Sequence, residues 1–134
     1  MTYHYVIDDI PPSLNKYAGR LNAWEYREDK QIWKQLVYFS TLQGERPAAP
    51  PPFAFVRIVY FFPDKRRHDP DNYAGKMILD GLTAAGIIED DSFDHIALLL
   101  SGDVDRQNPR TEIFVTPVRK AAKAVKIIVS EMED

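Results

Sequence analysis

The residues with the most chemical content are Arg66-Arg67-His68-Asp69-Pro70-Asp71-Asn72-Tyr73-Ala74-Gly75-Lys76, followed by Ile87-Ile88-Glu89-Asp90-Asp91. Pro70 fixes its own φ and pushes Asp69 toward extended backbone, so Asp69 and Asp71, two residues apart, aim in nearly the same direction. Lys76 is expected about one helical turn beyond Asn72, within reach of whatever the aspartates bind. After that helix, a short return brings a third carboxylate from Glu89-Asp90-Asp91 to the same point. Hard oxygen donors of this kind suit Mg²⁺, with Mn²⁺ as a substitute, since such cations keep several waters and accept phosphate oxygens as further ligands.

Each piece has an ordinary alternative. Asp-Pro-Asp-Asn before a helix is also a turn with a capping residue. Glu-Asp-Asp alone reads as a solvated loop, and Lys76 alone as a surface lysine paired with Asp80 at i+4. Together with the Lys65-Arg66-Arg67 run they occupy some 27 residues and supply what phosphoryl transfer needs: a metal clamp, a charge stabiliser and contacts to phosphates. Neither His68 nor His95 has a partner spaced for zinc, and no Ser-His-Asp arrangement or glycine-rich phosphate loop is readable.

Formal net charge is −3, which by itself argues against binding a polyanion. Its distribution says otherwise. From Asp80 to Asp105 there are seven acids and no Lys or Arg, leaving 13 acids against 17 bases in the rest. A basic body with one acidic pocket suits a metal-dependent enzyme acting on phosphates, because a bound cation inverts the local charge. A solvated acidic loop is the alternative.

The elements that must position these groups follow from periodicity. Alternation over Tyr3–Ile7 predicts a first strand, stopped by Pro11-Pro12. Asn22 is placed to cap a long helix to about Leu42, with Trp24, Ile32, Leu36, Phe39 and Leu42 on its apolar face. Pro47-Ala48-Ala49-Pro50-Pro51-Pro52 is a stiff crossover. Phe53–Phe62 is almost wholly aromatic and β-branched apart from Arg57, which predicts a central strand covered on both faces. Asp71 or Asn72 caps a second helix to about Ala85, stopped at Gly86. Phe93–Leu100 and Thr111–Val118 are expected as strands of a hairpin around a Gly102–Pro109 turn. A C-terminal amphipathic helix over 118–132 carries Val118, Ala121, Ala122, Val125, Ile128, Val129 and Met132 on one side, with Arg119, Lys123 and Lys126 opposite as a solvated face or a phosphate contact.

These elements make an α+β fold: a small mixed sheet of about four strands packed with two to three helices, in the rough order β-α-β-α-β-β-α. At 134 residues and 45% hydrophobic, the chain suits a single domain over 1–134 with a real core. The absence of cysteine removes disulfides and thiolate chemistry and makes a reducing, cytoplasmic setting the simplest expectation. The sequence has no signal-like N-terminus and no membrane-length apolar run, so a soluble protein with no membrane partner is expected.

Three pieces in order, Pro11-Pro12-Ser13-Leu14-Asn15-Lys16-Tyr17, Arg66-Arg67-His68-Asp69-Pro70-Asp71-Asn72, and Leu79-Asp80-Gly81-Leu82 through Gly86-Ile87-Ile88-Glu89-Asp90-Asp91, resemble the RusA family of Holliday junction resolvases, often encoded by prophages. The resemblance covers about Ile10 to Leu100. It implies that Asp69, Asp71 and Asp91 are the catalytic, metal-holding aspartates and Lys76 the essential lysine. It also implies a Mg²⁺-dependent homodimer of small α+β fold, without an organic cofactor, that cuts four-way DNA symmetrically and leaves ligatable nicks. Lys16, Lys65, Arg66 and Arg67 are then the candidate DNA contacts. Gly75 lengthens the asparagine-to-lysine spacing from the common three residues to four, and His68 stands where arginine is common. A nuclease on other branched DNA, and a junction-binding protein that does not cut, are the rival readings.

Overall fold

The computed structural model describes residues 1–18 and 23–118. The chain enters with strand β1 (Tyr3–Ile7), makes a 3-10 turn at Leu14–Tyr17 and runs through helix α1 (Ala23–Leu42) into strand β2 (Ala54–Phe62). A second 3-10 turn, Pro70–Asn72, precedes helix α2 (Lys76–Ala84), and strands β3 (Ile96–Val104) and β4 (Arg110–Pro117) follow. Four strands form one mixed sheet in the order β1-β4-β2-β3. β2 is its centre, parallel to β3 and antiparallel to β4, with Ile58 opposite both Leu100 and Ile113.

Alternation along β2 sorts the residues between the two faces. Ala54, Val56, Ile58, Tyr60 and Phe62 join Tyr5, Ile113 and Val115 under Trp33 and Val37 of α1 and Ile78 and Leu82 of α2, forming the main core. Fully burying a side chain such as Ile58, Ile78 or Ile113 contributes about 1.5–3 kcal/mol. The helices can approach closely because Gly81 has no side chain; a Cβ there would lie 2.7 Å from Cβ of Val37. On the other face, Phe53 and Phe55 form a small second cluster with Ala97, Leu99 and Val118. Arg57 belongs to this outer face, its guanidinium 4.3 Å from the Phe114 ring centroid, and Arg110 covers Phe61 in the same way at 3.9 Å.

Several expectations are corrected. The face of α1 read as apolar is the exposed one: Trp24, Ile32, Phe39 and Leu42 face outward, while Trp33, Val37, Ser40 and Thr41 are buried and Leu36 is partly so. Ser40 and Thr41 can be buried because their hydroxyls donate to the carbonyls of Val37 and Tyr38, so their polarity is satisfied inside the helix. β3 begins at Ile96 rather than Phe93, whose side chain is almost wholly exposed, and continues to Val104. β3 and β4 are not a hairpin, because β2 lies between them. β4 buries Thr111, Ile113 and Val115 and takes an inner place, whereas β3, with Ser101, Gly102 and Asp103 exposed, takes an edge. Asn22 as a cap and all but the first residue of the 118–132 helix lie outside the described residues.

Candidate active site

Helix α2 starts later than expected, and this decides where Lys76 points. Asp71 and Asn72 do not cap it. Pro70 instead initiates a 3-10 turn, closed by bonds from Asn72 N–H to Asp69 O and from Tyr73 N–H to Pro70 O. The chain then turns at Gly75, φ +86°, a left-handed conformation that glycine adopts without penalty. Any Cβ at Gly75 would also press within 2.9 Å of Ile58 Cδ1. Lys76 is therefore the first helical residue, placed by the Gly75 turn rather than by counting helical residues from Asn72. At the far end, bonds from Gly86 N–H to Thr83 O and from Ile87 N–H to Leu82 O close the helix in a Schellman arrangement and turn the chain back toward Asp90-Asp91.

That return brings the third carboxylate to the lysine. Lys76 Nζ donates to Asp91 Oδ2 at 3.3 Å and to Asp80 Oδ1 at 3.1 Å. The Asp80 bond is the largest of the influences, with Asp91 adding to it, that hold the Lys76 ammonium above the ordinary lysine range, so it is charged throughout the working pH range of most enzymes. Asp80 Oδ2 is shielded from solvent without a hydrogen bond and is compensated by an ion pair with Lys30 of α1, 3.2 Å away. The result is a chain of alternating charges, Lys30, Asp80, Lys76 and Asp91, that ties α1, α2 and the following loop together.

The other two aspartates are placed differently. Asp69 has extended backbone and accepts from Arg67 Nε at 3.0 Å. It lines a small cavity with Tyr60, Phe62, His68 and Tyr73. Asp71 is exposed within the 3-10 turn, so the alternation of an extended segment does not aim it with Asp69. Asp91 lines a separate cleft with Lys30, Lys34, Asp80 and Asp90. Among the described residues no group of three His, Asp or Glu side chains is gathered closely enough to hold a metal ion. In donor chemistry Asp69, Asp71 and Asp91 suit a hard cation; in side-chain placement they do not form a closed ligand set.

The basic loop is exposed and internally paired. Asp64 accepts from Arg66 Nε at 3.1 Å and Nη2 at 2.9 Å and from its backbone N–H, bonds that lower its pKa to about 2. No ion pair fixes Lys65 among the described residues. His68 stacks on Phe62, ring centroids 3.8 Å apart, and so serves as an aromatic wall here. Lys16 is drawn to α1, where it pairs with Asp29 at 2.9 Å and Glu25 at 3.2 Å. Sequence reading named the Lys76–Asp80 pair only as the ordinary alternative for a surface lysine, and it missed Lys30. The i,i+4 spacing of Lys76 and Asp80 was a visible signal, whereas Lys30, 46 positions before Lys76, offered none.

A mixed sheet thus carries two helices on one face, with Lys76 held between Asp80 and Asp91 and an exposed basic loop between β2 and α2. No protein-family model matches the chain. It is similar to the crossover junction endodeoxyribonuclease rusA of Enterobacteria phage HK97, 34% identical over 99 residues that cover 72% of this chain and 81% of the phage protein. The chain belongs to the RusA family of crossover junction endodeoxyribonucleases. Among the described residues no helix is long and apolar enough to cross a membrane.

Proposed function

We propose that this protein is a Mg²⁺-dependent endodeoxyribonuclease, with Mn²⁺ as a substitute, that resolves Holliday junctions by paired symmetric cleavage. The similarity to the phage HK97 enzyme carries this reading. Asp69, Asp71 and Asp91 are the carboxylates that would hold the cation, which requires that Asp69 leave Arg67 and that the three side chains be drawn together from their separate positions. The cation would supply Lewis-acid polarisation of the scissile phosphate and a more acidic bound water.

The protein's own groups have separable tasks. Lys76, charged and directed at Asp91, stabilises negative charge developing on the phosphate or orients the attacking water. Lys65, Arg66 and Arg67 grip the DNA backbone. Arg66 and Arg67 can exchange their neighbouring carboxylates for phosphate oxygens, because both guanidiniums are more than four-fifths exposed. Lys16 is a further candidate contact whose acidic partners must be given up first. One site per chain and two cuts on a junction of near two-fold symmetry call for a homodimer. The outward apolar residues of α1 are compatible with such an assembly.

The test is cleavage of a labelled synthetic four-way junction with Mg²⁺, with unlabelled duplex as competitor and flap and linear substrates alongside. Symmetric paired nicks, lost by about 100-fold or more in Asp69→Asn and Asp91→Asn, are expected. Tight junction binding without nicks in either metal would overturn the proposed activity, and preference for flaps would overturn the proposed substrate.

A further inference from the structure

We propose that Asp80 is a positioning residue for the Lys76 ammonium, itself anchored by Lys30 of α1. The inference rests on the reading above for its consequence in catalysis, but its structural part stands on the geometry. The Lys76 side chain is half exposed, and an unrestrained lysine retains the freedom of four rotatable bonds. Only two groups among the described residues hold its ammonium, Asp80 and Asp91. They are not equivalent. Asp91 lies in the loop after α2 and is one of the carboxylates assigned to the cation, so its oxygens have a competing use. Asp80 has none.

Asp80 is also the better anchored of the two. It lies one turn after Lys76 on the same face of α2, among the buried residues Leu79, Gly81 and Leu82. One carboxylate oxygen holds Lys76, and the other, shielded from solvent, meets Lys30. Rotation of the carboxylate toward solvent would leave Lys30 without its partner. α1 therefore fixes Asp80, and Asp80 fixes the direction of Lys76 toward Asp91. This gives α1 a share in the site even though it contributes none of the residues assigned to the reaction.

The first measurement uses metal-free protein. The NMR order parameter of the Lys76 Cε methylene is expected to fall in Asp80→Asn to the value of unrestrained surface lysines. Order retained through Asp91 alone would overturn the proposal. If Asp80→Asn does not fold, Lys30→Met leaves both Lys76 partners in place and is expected to loosen Lys76 in the same measurement; unchanged order overturns the anchoring. In single-turnover cleavage, Asp80→Asn should slow the reaction by about 10- to 100-fold with junction affinity unchanged. In a Lys76→Ala background the same substitution should cost nothing more, because Asp80 acts through Lys76. Further loss in that background would overturn the role. A wild-type protein that cuts no junction overturns the proposed activity instead, and the NMR result then decides on Asp80 alone.

Discussion

The site joins two regions that hold their charges in opposite ways. In the loop from Asp64 to Asp69, each carboxylate is paired with a cation two residues away, Asp64 with Arg66 and Asp69 with Arg67. Around α2 one pair, Lys76 with Asp80, lies within the helix, and it is tied to pairs between elements: Lys30 meets Asp80, and Lys76 meets Asp91 fifteen residues on. Local pairs restrain little beyond their own backbone and are easily exchanged for another anion. Long-range pairs tie separate elements to one another. The loop is thus suited to gripping a partner of variable shape, and the α2 region to holding a reacting group still.

Substitutions should separate the regions by size of effect. Gly81→Leu forces side-chain atoms into the crossing of α1 and α2 against Val37, and a stability loss of about 1–3 kcal/mol is expected in denaturant unfolding. A loss within error would mean the helices can part freely, and the contrast would fail. Arg66→Gln should change stability by no more than about 0.5 kcal/mol, while lowering the salt dependence of junction binding by about one phosphate contact. A stability loss as large as that of Gly81→Leu would show that the loop is a packed element after all.

The smallest effect is a titration. Asp64 is depressed in the folded protein by its Arg66 bonds, so its contribution is fully present above the ordinary carboxylate range and is lost as pH falls through about 2. An NMR titration should place its midpoint there, and Arg66→Gln should return it toward the ordinary value of 3.8.

The strand content, the mixed sheet and the central place of β2 were legible because period-2 patterning and β-branched runs report burial directly. Strand partners were less so. Thr111–Val118 reads as a hairpin mate for the preceding strand, yet inner and edge positions are decided by which strand can bury a face, a comparison made across the whole sheet. α1 misled for a related reason: Ile32, Phe39 and Leu42 are more apolar than Ser40 and Thr41, but internal hydrogen bonds let the latter be buried. At the site, type and spacing pointed to Asp69, Asp71, Lys76 and one acid of Glu89-Asp90-Asp91, and the choice of Asp91 came from the family resemblance. The Gly75 turn that aims Lys76, and Lys30 behind Asp80, depend on backbone sign and on helix crossing, which spacing does not encode.

The strand order has a consequence for how the chain acquires its shape. Tyr3 of β1 pairs with Val115 of β4, more than a hundred residues later, and β4 must enter between β1 and β2. Until it does, β1 has no neighbour and one side of β2 is open. Closure of so long a loop is slow, so the helices and the parallel β2–β3 pair are expected to form before the sheet is complete. During synthesis, the first strand must wait until β4 has emerged. Truncation just before Arg110 would expose two strand edges at once and favour aggregation over a smaller folded protein.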